Sequence, residues 1–311
     1  MASASKTVIH AALAGNSLIA ATKFAAAAIT GSSAMVSEGI HSLVDTGNQA
    51  LLLFGLRQAR KPPDERFPFG HGKEVYFWSF VVAILIFGLG AGISIYEGVS
   101  HLLEPVALRS PLVNYVVLGF ALLFEGAAWT IAFREFRKTK GKLGWLRAVQ
   151  SSKDPTVLVV LFEDSAAMLG LLIALAGVGL TQVSGDPTYD AGASIGIGGV
   201  LAVTAAWLAS ETKSLLIGER ARPDVVEDIR RICRDLDKVV RVNEVLTMHM
   251  GPEYVLATLS LEFADALTIT ELERTIEDLN QRIRKAHPDV KKVFIEAESV
   301  AKPGDAARRL E

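Results

Sequence analysis

Cysteine is almost absent from this chain: Cys233 is the one cysteine in 311 residues. That excludes an intrachain disulfide and argues against a thiolate metal site. Excess charge of either sign is missing too, 32 Lys and Arg standing against 34 Asp and Glu for a net charge of -2, which speaks against nucleic acid as a partner. The charged C-terminal third offers no nucleophile beside a base and no phosphate-cradling glycine loop, so neither an enzyme nor a resident cofactor is expected. The first apolar stretch already has spanning length and carries Asn16 and Lys23 instead of a short core with a cleavage site, so no cleavable signal peptide is expected.

What the chain has in quantity is apolar sequence. Half of its residues are hydrophobic, and mean hydropathy is +0.33 despite the charged C-terminal third. Stretches of about 20 residues or more, long enough to cross a bilayer, run over 8–30, 34–57, 75–102, 111–134, 156–183 and 188–210. The second connection carries Arg57, Arg60, Lys61, Arg66 and Lys73, and the fourth carries Arg134, Arg137, Lys138, Lys140, Lys142, Arg147 and Lys153. The first, third and fifth hold only Arg109 between them. By the positive-inside rule the basic loops and both termini are cytoplasmic.

After the last span the pattern changes. Residues 226–236 suit a helix, and 241–250 with 253–263 read as a hairpin around Gly251 and Pro252. In the second strand Val255, Ala257, Leu259, Leu261 and Phe263 alternate onto one face. Thr268 and Glu271 have capping-box spacing before an apolar stripe of Ile269, Leu272, Ile276, Leu279 and Ile283. Residues 290–297 supply a third strand. The expected architecture is therefore a membrane α-helical protein, six transmembrane helices (8–210) and a connector (211–221) followed by a small cytosolic α+β domain of order α-β-β-α-β (222–300) and a flexible tail (301–311).

Within the second span Glu38, His41, Asp45 and Asn48 are spaced by three, four and three, which aligns them along one helical stripe. A charged side chain at the centre of a membrane helix costs about 2.5 to 3.5 kcal/mol on the mildest scale, so such a stripe faces a cavity and marks an ion or substrate path. A lone polar residue serves instead as interhelical glue worth about 1 kcal/mol. Glu163 and Asp164 sit side by side in the fifth span, pointing about 100° apart. If this helix packs against the second, Asp164 joins His41 and Asp45 around one ion, a donor set that suits Zn²⁺ with Fe²⁺, Mn²⁺, Co²⁺ and Ni²⁺ as alternatives. Glu125 in the fourth span either relays protons or pairs with Lys23 in the first. Glycines 88, 90, 92, 192, 196, 198 and 199 permit close packing or sliding of the third and sixth spans.

Three stretches carry a family resemblance. They are the run Thr30-Gly-Ser-Ser-Ala-Met-Val-Ser-Glu-Gly-Ile-His-Ser-Leu-Val-Asp45, the loop Asp64-Glu-Arg-Phe-Pro-Phe-Gly-His-Gly-Lys73, and Leu215-Leu-Ile-Gly-Glu-Arg-Ala before the soluble domain. Together they resemble a cation diffusion facilitator over residues 8 to about 300, in the branch with Glu-Asp on the fifth helix. The resemblance implies a homodimer in the lipid bilayer, an integral protein of the cell (inner) membrane, exporting zinc or another divalent transition metal such as iron or manganese in exchange for protons. Metal is substrate here. It assigns His41, Asp45 and Asp164 as ligands, with Glu163 as substitute where Val160 departs from the family pattern, and leaves open which of Glu163 and Asp164 faces the site. Glu38 and Asn48 become pathway or supporting groups.

The resemblance implies three further sites. Asp64 and His71 match a loop metal site in which Phe67 replaces the third ligand, although His71 is equally readable as a cap of the third helix. In the soluble domain Ser260, Glu296 and Glu298 replace the ligands of a regulatory site, and His249 is read as solvated or packed. Lys73 and Glu219 match a charge interlock at the dimer's waist. A cation channel, or a membrane metal sensor or scaffold, remains as the alternative function.

Overall fold

The computed structural model describes residues 2–106, 110–140, 144 and 155–299. The expected tail and most of the basic connection after residue 140 lie outside these. The chain divides into two compact units, Met1–Arg60 with Glu74–Lys213 and Lys61–Lys73 with Ser214–Glu311.

The first unit holds six long helices: α1 (Ala2–Thr30), α2 (Ser33–Ala59), α3 (Glu74–Leu103), α4 (Pro111–Lys140), α5 (Pro155–Ser184) and α6 (Thr188–Ile217). The last four are long and apolar enough to cross a membrane by length and composition. Helix α2 is less apolar because it carries Glu38, His41, Asp45 and Asn48, and all four are buried inside the bundle. The bundle is apolar outside as well as in: Met35, Ile86, Leu118, Leu171 and Leu201 are buried, while Leu123, Val203 and Val183 are 71%, 73% and 90% exposed. Large apolar side chains turned outward on helices fit a lipid solvent. Helix α6 continues through residues that the sequence suggests are a connector, since Glu211-Thr-Lys-Ser-Leu-Leu-Ile217 contains no helix breaker.

The turn between α1 and α2 needs Gly31, whose φ of 70° lets the chain reverse within two residues. Ser32 then caps α2 by accepting from Met35 N at 3.2 Å. Helix α3 contains a π-helical turn over Ile86–Ala91. Of the glycines expected to permit packing, only Gly198 is pressed hard: an added Cβ would meet Ile95 Cγ1 at 2.6 Å and the Ala91 carbonyl at 3.0 Å. Gly98 is its counterpart on α3, where an added Cβ would meet Ile195 Cγ1 at 2.6 Å and the Ala191 carbonyl at 2.7 Å. Gly88, Gly192 and Gly199 have open space instead.

The second unit contains α7 (Pro223–Arg234), β1 (Val239–Gly251), β2 (Tyr254–Phe263), α8 (Ile269–Ala286) and β3 (Val290–Ala297). Strand β2 is central, antiparallel to β1 and parallel to β3. Its Val255, Ala257, Leu259 and Leu261 are fully buried against Val225, Ile229 and Cys233 of α7 and Leu279 and Ile283 of α8. The capping box forms in full. Ile269, read as the start of the α8 stripe, is instead 77% exposed. As the first residue after the cap it precedes the face made by Thr275, Leu279 and Ile283.

Candidate metal site

Two helices bring the polar groups together. On α2, His41 Nδ1 lies 3.4 Å from Asp45 Oδ1, one turn apart. On α5, Glu163 accepts from Asn48 Nδ2 at 2.6 Å and lies in side-chain hydrogen-bonding contact with Asp45. All four side chains are buried. Asp45 Oδ1, Asn48 Oδ1 and both ring nitrogens of His41 make no hydrogen bond. Two carboxyl groups in contact away from water require positive charge between them, a proton or a cation.

Among the described residues, no three His, Cys, Asp or Glu side chains are gathered closely enough to enclose a metal ion. The members instead pair in a chain, His41 to Asp45 to Glu163 to Asn48. Asp164 is only half-buried. The carboxylate that reaches α2 is thus Glu163, the reverse of the priority suggested by the family motif. Val160, at the position where the motif has a ligand, packs against the apolar core. The phase of α5 explains this. Val159, Glu163, Ala166, Ala167, Gly170 and Ala174 form its buried face, and small residues at helical spacing are the sequence signal that would have identified it.

Glu38 belongs elsewhere. Lys23 Nζ of α1 sits 3.0 Å from Glu38 Oε2, 3.1 Å from Glu125 Oε1 and 2.8 Å from Ser42 Oγ, fastening α1, α2 and α4 through one ammonium. The second Glu38 oxygen makes no hydrogen bond and rests against Gly170 of α5, where a Cβ would collide with it. Glu125 pairs with Lys23, as one of its two sequence readings had it.

In the loop, Asp64 Oδ1 accepts from the backbone N–H groups of Arg66 and Phe67 at 2.9 and 2.7 Å, leaving Oδ2 3.5 Å from His71 Nε2. The Phe67 ring, at the position of the third ligand, lies with its centroid 4.6 Å from that of His71 and tilted by 51°. Ser260 donates to Glu298 Oε2 at 2.7 Å, and Asn243 donates to Ser260 at 3.2 Å, so these positions form a hydrogen-bond network. His249 is buried rather than solvated, its backbone N–H bonding the Glu219 carbonyl at 2.9 Å. Lys73 Nζ donates to the Leu216 carbonyl at 3.4 Å. Asp190, Ser33, Ser37 and Ser194 escaped the sequence reading, although steps of four back from His41 reach Ser37 and Ser33 on the same stripe.

The cation efflux transmembrane domain profile matches residues 9–217, and that of the cation efflux protein cytoplasmic domain matches 221–300. The chain therefore belongs to the cation diffusion facilitator family, integral membrane transporters rather than enzymes. It is 37% identical over 88% of its length to the proton-coupled zinc antiporter SLC30A9, mitochondrial, of Xenopus laevis. It is 34% identical over 76% of its length to metal tolerance protein C4 of Arabidopsis thaliana. The chain spans about half the length of these two relatives, 49% and 52%. The manganese efflux system protein MneP of Bacillus subtilis is 25% identical, with 94% of this chain and 95% of that one aligned.

Proposed function

We propose that the chain works as a homodimer that exports a divalent transition metal, zinc foremost, in exchange for protons by alternating access. Its ligands are His41, Asp45 and Glu163, with Asp164 near the path and Asn48 orienting Glu163. The observation that carries this reading is the buried carboxyl contact between Asp45 and Glu163 beside a histidine whose ring nitrogens make no hydrogen bond. Two facing carboxyl groups beside an imidazole suit a cation. Because these ligands bind metal only when deprotonated, protons arriving from the far side expel it. The similarity to a proton-coupled zinc antiporter and to a manganese efflux protein supports a divalent metal and a proton couple.

The basic second and fourth connections support cytoplasmic termini and export away from the α+β domain. That domain, matched by the family's cytoplasmic domain, supports pairing of two chains, with Lys73 and Glu219 as the charge interlock. The loop pair Asp64 and His71 is at most an auxiliary site, because the turn already uses one Asp64 oxygen.

Proteoliposomes holding a zinc indicator and a pH indicator test the reading. Coupled fluxes that vanish in Glu163→Gln are expected. A zinc conductance without proton movement would make the protein a channel, and neither flux would make it a sensor or scaffold.

A further inference from the structure

The stripe on α2 does not end at the metal site. Stepping back by fours from Asp45 it passes His41, Ser37 and Ser33, and these last two meet α6 rather than α5. The Asp190 carboxylate of α6 accepts from Ser32 Oγ at 2.6 Å, Ser33 N at 2.7 Å, Ser33 Oγ at 3.0 Å and Ala34 N at 3.3 Å. Its own N–H bonds Thr181 Oγ1 of α5 at 3.1 Å. One turn further along, the Ser37 and Ser194 hydroxyls touch, and Ser194 Oγ also donates to the Ser94 carbonyl of α3 at 2.9 Å. All of these side chains are buried. The Ser94 hydroxyl, also buried, makes no hydrogen bond.

We propose that Asp190 and Ser194 form a latch that shuts the α2 end of the ion path against α6. Asp190–Ser33 and Ser37–Ser194 part when the path opens to the side where α2 begins. The inference rests on the transport reading above.

Three features favour a seam that opens over a fixed helix cap. The seam is polar, so each group can exchange its partner for water on parting, which a leucine seal cannot do. It lies on the face of α2 that carries His41 and Asp45, so opening it uncovers the site. On its other sides α6 is close-packed against α3 at Gly98 and Gly198 and against α5 at Gly177, whereas its seam with α2 is made of hydrogen bonds that water can replace. Asp190 acts through α2 and is a positioning residue.

With Cys233→Ser as background, Ser37→Cys and Ser194→Cys are combined, since touching hydroxyls bring the Cβ atoms within disulfide reach. After oxidation, confirmed by intact mass, zinc flux in proteoliposomes is expected to fall at least tenfold and to return with reductant, while each single variant stays within about twofold. Undiminished flux in the cross-linked protein overturns the latch alone. Absence of flux in the unmodified protein overturns the transport reading and the latch with it. The second arm measures labelling of Ser37→Cys by a membrane-impermeant maleimide. Asp190→Asn is expected to raise labelling at least threefold, and unchanged labelling overturns the latch even where flux is normal.

Discussion

Asn48 of α2 donates to Glu163 of α5 over 2.6 Å, and this bond turns the Glu163 carboxyl toward Asp45. An oriented ligand binds better than a free one. Asn48→Ala should therefore weaken zinc binding by about 10- to 100-fold, and Glu163→Gln by at least as much. Asp164→Asn should stay within one order of magnitude. Isothermal titration with zinc checks all three, and an Asp164 effect larger than that of Glu163 would reverse the assignment.

Lys23 and Glu38 are both fully buried, with Glu125 as second carboxylate partner. Breaking such a pair leaves an uncompensated charge and costs about 3 to 5 kcal/mol. Lys23→Met should lower the melting temperature in detergent, and Lys23→Met with Glu38→Met and Glu125→Gln should recover most of the loss. A single variant as stable as the parent would mean that the pair contributes nothing.

Gly170→Ala puts a methyl group where Glu38 Oε1 lies. Overpacking typically costs about 1 to 3 kcal/mol. Combining it with Glu38→Ala should relieve the collision, so the two changes together should cost less than their sum in thermal melts.

The backbone and side chain of Thr268 hold the Glu271 carboxylate below its ordinary value of 4.5. A group with a depressed folded pKa adds stability above its unfolded pKa, and that contribution is lost as pH falls through the folded value. The difference in melting temperature between the parent and Glu271→Gln should be constant above about pH 5.5 and shrink below 4.5. A difference that persisted at pH 3 would count against the cap. Thr268→Ala should cost about 1 kcal/mol at neutral pH.

Burial pushes the Cys233 thiol up to about 11. It should resist iodoacetamide at pH 7.5 in the folded protein and react once detergent denatures it, as mass spectrometry would record.

The sequence reading succeeded where the determining pattern is local. The alternation in β2, the capping box at Thr268 and the stripe from His41 to Asn48 each follow from the geometry of one element, and each formed. It left open what depends on the phase of two helices. Glu163 and Asp164 are neighbours in sequence, and only the small-residue face of α5 decides which turns to α2. Asp190 is 157 residues from Ser33, and no period within either segment links a carboxylate to the hydroxyl it will hold. Ile269 shows the limit in another way, since apolar spacing marks a helical face without saying how far the sheet beneath it extends.

The ammonium of Lys23 also constrains how the protein is made. A lysine emerging alone on α1 would enter lipid about 2.5 to 3.5 kcal/mol uphill, and its first partners, Glu38 and Ser42, lie on the very next helix. The two-residue turn at Gly31 lets α1 and α2 enter the bilayer as a hairpin with that charge already matched. Glu125 arrives later with α4, so the order of synthesis is also the order in which the triad closes.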